Sequence, residues 1–88
     1  MSIEEREKLA ELCHEQWADW MEYLFEKSIP YKPGEVQNYE GAVIIPKWAV
    51  DRWQRQMDTY YKDLSDSEKE SDRKEADKFL HVMQNNGK

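Results

Sequence analysis

Two cations, Lys69 and Arg73, stand four residues apart on a line that Ala76 and Leu80 continue toward the C-terminus. On a helix that line faces the body of the protein. Burying a bare cation is costly, so each needs a carboxylate or an anionic ligand. Two arrangements meet the need: an internal salt-bridge network with Asp63, Asp66 or a first-helix glutamate, or an anion or nucleotide pocket with Tyr60 or Tyr61 beside it as a stacking surface or hydroxyl donor. A second candidate group is Cys13, His14 and Glu15, ahead of Trp17. Zinc takes three or four ligands, whereas adjacent Cys13 and His14 diverge by about 100° on a helix and His81 is distant. No metal site is expected, and His14 reads as a hydrogen-bonded structural histidine. The glycines 34, 41 and 87 stand apart, so they form no phosphate loop, and no Gly-x-Ser-x-Gly or His-Glu-x-x-His motif occurs. The chain therefore reads as a binding protein with no catalytic residue and no cofactor.

Three helices position these groups. Ser2 and Glu5 have capping-box spacing, and Ala10, Cys13, Trp17, Trp20 and Leu24 recur at alternating steps of three and four, so a helix is expected from Ser2 to about Ser28. Its opposite face carries Glu11, Glu15, Asp19, Glu22 and Glu26. Pro30 and Pro33-Gly34 end the helical signal. The β-branched run Ala42-Val43-Ile44-Ile45 suggests a short strand, with Val36 or Tyr39 on an opposing one. Pro46 suits a helix first turn, and Trp48, Ala49, Val50, Trp53 and Met57 give a second helix to about Asp58. Lys47, Arg52 and Arg55 form its solvated basic side, with Trp48 the first candidate for an exposed indole. A loop over Thr59 to Leu64 leads to Ser65 and Glu68, a second capping box that opens the last helix. Residues 85–88 read as a frayed tail. The expected fold is mainly α: one compact three-helix domain over residues 1–88, with a short β-hairpin or strand between helices one and two.

Composition narrows the partners. A net charge of −6 disfavours direct nucleic-acid binding, which relies on a basic surface. Four Trp, five Tyr and two Phe provide for a small core and argue against disorder. The lone Cys13 can form no internal disulfide, no stretch reads as a signal peptide or membrane span, and the expected location is cytoplasmic.

The stretch from Tyr61 to Arg73 resembles the ryanodine-receptor repeat domain, through Tyr61, Asp63, Leu64, Glu68, Lys69, Asp72 and Arg73. His14, Glu15 and Trp17 resemble that family's His–Trp helix. The chain departs from the family pattern at Tyr60, where a proline is usual, and in its middle section. The resemblance implies a non-enzymatic domain of paired helices with small β elements, of the kind found in calcium-release channels and in short bacterial and phage proteins. Carried over, the ligand-facing residues are His14, Trp17, Tyr61, Lys69 and Arg73. The expected function is binding of a small anionic, nucleotide-derived ligand, as in phage-type sequestration or sensing of a signalling nucleotide. The alternative is an acidic protein-interaction factor, such as a phage or mobile-element inhibitor of a host defence protein, which meets a basic host protein.

Overall fold

The computed structural model describes residues 2–34 and 40–86. Helix α1 spans Ile3–Lys27, α2 spans Lys47–Met57 and α3 spans Asp66–Asn86, with one 3-10 turn at Tyr61–Asp63 ahead of α3. Helix α1 is the common element: it packs chiefly on α3, and also on α2 and the 3-10 turn. None of the described helices is long and apolar enough to cross a membrane.

The helix ends follow from the capping residues. Ser2 Oγ accepts from the Glu5 N–H at 3.1 Å, and Ser28 closes α1 by donating its Oγ–H to the Leu24 carbonyl at 2.6 Å. Before α3 the capping box is reciprocal: Ser65 Oγ accepts from the Glu68 N–H at 3.3 Å, while Glu68 Oε1 accepts from the Ser65 N–H at 3.2 Å. Pro46 lies just outside α2 as its cap, and its carbonyl accepts from Val50.

The expected hairpin or strand between α1 and α2 is corrected. No described residue is in a strand, and Ala42 to Ile45 run as an irregular segment with Val43 88% and Ile44 78% exposed. A β-branched run becomes a strand only where a second edge supplies ladder hydrogen bonds. The positions expected to supply that edge, Val36 and Tyr39, lie outside the described residues. Gly34 and Gly41 adopt φ +88° and +84°, left-handed values that side-chain-bearing residues rarely take, and they punctuate the connection with turns.

The expected compactness is corrected as well. The buried cluster is Ala10, Cys13, Tyr61, Leu64 and Ala76, flanked by Leu9. Ala10 and Ala76 are completely hidden, yet no large side chain is. The molecule measures 57 × 29 × 17 Å with a radius of gyration of 17.1 Å, against about 12 Å for a compact chain of this length. Polar contacts between α1 and α3 fall on residues 6–14 and 70–77; beyond them Leu80 is still buried, while Trp20 and Tyr23 of α1 and Phe79 and Met83 of α3 are exposed. Cys13 is buried and Trp17 half-buried, while Trp20 further along the same stripe is 69% exposed.

Candidate functional site

The crossing of α1 and α3 gathers an aromatic and ion-paired cluster. His14 lies one turn beyond Ala10 on the covered side of α1, and its ring is buried. Its Nε2 is 2.6 Å from the Thr59 carbonyl oxygen. A carbonyl can only accept, so that nitrogen carries the hydrogen. Nδ1 faces the Asp72 carboxylate at 3.6 Å, and burial pushes the Asp72 carboxyl above its ordinary range. The imidazole lies near-parallel to the Trp17 indole at 6.1 Å between centroids and is tilted against the Tyr61 ring at 6.5 Å.

Tyr61 reaches this position because the 3-10 turn brings it back onto α1. Its hydroxyl donates to Glu7 Oε2 at 2.7 Å, and the other Glu7 oxygen accepts from Arg73 Nε at 2.6 Å. Arg73 also approaches Glu70 at 3.4 Å, and the Lys69 ammonium lies 5.7 Å from the Tyr61 ring centroid. Burial, reinforced by the anionic Glu7, pushes the Tyr61 phenol up to about 12. Arg73, and after it the Tyr61 hydroxyl, hold the Glu7 carboxyl below its ordinary range. Arg6 adds a two-pronged pair to Asp77 at 2.8 and 2.9 Å.

All five residues expected to face a ligand, His14, Trp17, Tyr61, Lys69 and Arg73, thus come together. The polar groups of His14, Tyr61 and Arg73 are turned on protein partners, while Lys69 meets the Tyr61 ring; among the described residues no buried side-chain nitrogen or oxygen lacks a hydrogen bond. Of the two arrangements open to Arg73, the internal network is the one formed, and its carboxylate is a first-helix glutamate, Glu7. Sequence reasoning did not single out Glu7. The signal was available, since Glu7 precedes Ala10 by three and His14 by seven residues and so shares their face.

The basic side of α2 is likewise engaged. Arg55 donates to Glu68 Oε2 at 2.5 Å, so the capping-box glutamate also ties α2 to α3. That bond, ahead of the contacts from Ser65, holds the Glu68 carboxyl down at about 2.

Between α1 and α3 a groove of about 920 Å³ is lined by Cys13, Trp17, Trp20, Tyr23, Glu75 and Phe79. The pocket expected there was to be lined by aromatics with Lys69 or Arg73. The groove has the aromatics and neither cation. Trp48 is exposed, as expected, and Trp20 equally so.

Removing the Arg73 guanidinium tests the network. Arg73→Ala is expected to lower the melting temperature by a few degrees, because Glu7 is left with the Tyr61 hydroxyl alone. Adding Glu7→Gln should lower it little further, since the two residues form one interaction. Additive losses in the double variant would show that they act separately.

No protein-family model, no curated protein and no solved structure matches the chain. The resemblance to the ryanodine-receptor repeat rests on its residues alone.

Proposed function

We propose that the protein is a non-enzymatic interaction factor that presents an acidic stripe on α1 to a basic partner protein. The observation that carries this reading is the row Glu11, Glu15, Asp19, Glu22 and Glu26, all exposed along one side of α1. They extend over about 22 Å of helix at 1.5 Å per residue. Among the described residues none of the five is in an ion pair, although the chain pairs Arg6, Lys47, Arg55, Arg73 and Lys78 with carboxylates elsewhere. Glu11–Glu15, Glu15–Asp19 and Glu22–Glu26 are like-charge pairs at i,i+4, each unfavourable to the helix by about 0.2–0.5 kcal/mol. A basic partner relieves that repulsion and is drawn to the stripe by it.

Capture of host proteins on the immobilised chain, at low and at high salt, tests the reading. Expected are basic proteins whose retention falls as salt screens the exposed charges. The pair Glu15→Lys and Glu22→Lys should abolish it with helicity unchanged. Retention indifferent to both salt and charge reversal would overturn the proposal.

A second reading, a small anionic nucleotide-derived ligand, is favoured by the gathering of His14, Trp17, Tyr61, Lys69 and Arg73 into one cluster. Such a ligand has to displace the Glu7 carboxylate from Arg73. It predicts a concentration-dependent rise in melting temperature with nucleotides, lost in a folded Arg73→Ala protein.

A further inference from the structure

The surface of the chain is too large for its mass. A compact 10.7 kDa monomer exposes about 5,500 Å², whereas this chain exposes 7,419 Å². The difference, roughly 1,900 Å², is of the order that an obligate dimer buries per subunit. Some of it belongs to the connection before α2, where Val43 and Ile44 are bare. Another part lies on one side of the later turns of α1 and α3. There Trp20 (69% exposed), Tyr23 (54%) and Phe79 (51%) line the groove, and Met83 (64%) follows Phe79 by one turn on α3. Trp20 meets Tyr23 edge to face at 6.1 Å, so the indole is held in place beside the groove.

We infer that this face is the contact between two copies of the chain, with Trp20 of each copy entering the groove of the other. Two observations favour a second copy over a foreign partner. An exposed aromatic wall and the concavity that it borders lie on one patch, as a twofold, self-complementary contact requires. Finally, a core with no fully buried large side chain is completed by indole and phenyl rings from outside.

The test is the solution mass of the whole chain, by light scattering or sedimentation equilibrium at micromolar concentrations. Twice 10.7 kDa is expected, and it should persist at high salt, where capture by the acidic stripe is lost. Trp20→Glu and Phe79→Glu should each give the single-chain mass with the helical circular dichroism signal retained, because both rings are more than half exposed in one chain. Trp20→Ala, which adds no charge, should weaken dimerisation in the same direction. Glu15→Lys with Glu22→Lys should leave the dimer intact. A wild-type chain of single mass at every concentration would overturn the inference. So would a dimer that survives Trp20→Glu and Phe79→Glu, since it would use another face.

Discussion

Tyr61→Ala is expected to cost the domain about 3–5 kcal/mol, the usual range for truncating a buried aromatic. The ring is 7% exposed and is the largest member of the central cluster, so its loss opens a space between Ala10, Leu64 and Ala76. Chains of this size are stable by about 4–13 kcal/mol in total, and this one has little core in reserve. The variant should therefore unfold at much lower denaturant concentration, or be unfolded at 37 °C, as followed by helical circular dichroism. Tyr61→Phe separates the ring from its hydroxyl. It keeps the packing and removes the hydrogen bond to Glu7, which retains Arg73, so a loss of about 1 kcal/mol is expected. The two variants also differ in alkali. The folded-state phenol lies at about 12, above its ordinary value of 10.0. Its contribution is complete below the unfolded value and is lost as pH rises from there through the folded one. Tyr61→Phe should abolish that alkaline decline. An unaltered decline would show that Tyr61 is not its source.

Acidification is the second large effect. Glu68 is nearly buried and is held at about 2, against an ordinary value of 4.5, chiefly by Arg55. Because the folded value lies below the unfolded one, its stabilisation is complete above the unfolded value. It disappears as pH falls through the window between the two. Arg55 is 55% exposed, so solvent weakens the pair, and about 2 kcal/mol is a fair magnitude after that discount. Melting temperatures should drop steeply below pH 4.5 in the wild type and much less in Glu68→Gln, which starts lower at neutral pH. The drop should include loss of the α2–α3 tie and fraying of α3, since the same carboxylate closes the capping box with Ser65. Parallel acid profiles for the two proteins would place the sensitivity elsewhere, with Glu7 next to test.

Much of the architecture was legible in the residues. Ser2 and Ser65 mark helix starts through local hydrogen bonds, which a sequence encodes within four positions, and Pro30 marks the end of α1. Pro46 marks the start of α2 because its missing N–H and fixed φ suit a helix start. The expected hairpin failed because a strand depends on a partner edge, which local composition does not encode. Ala42 to Ile45 have strand composition and no such edge among the described residues.

At the candidate site the sequence supplied the members and left their roles open. Periodicity put Trp17 on the inner side of α1, and Lys69 and Arg73 on the inner side of α3, while His14 read as a hydrogen-bonded structural histidine. Tertiary structure alone decided that Arg73 meets Glu7, sixty-six positions away, that Lys69 lies over Tyr61, and that Arg55 spends its charge on Glu68. It also decided where the apolar stripe of α1 stops being core. The stripe runs unbroken from Ala10 to Leu24, but its cover ends after Cys13 and Trp17, leaving Trp20 in the open. Amphipathicity fixes which face of a helix is apolar. What covers that face depends on where a neighbouring helix crosses, and only the packing of α1 against α3 sets that.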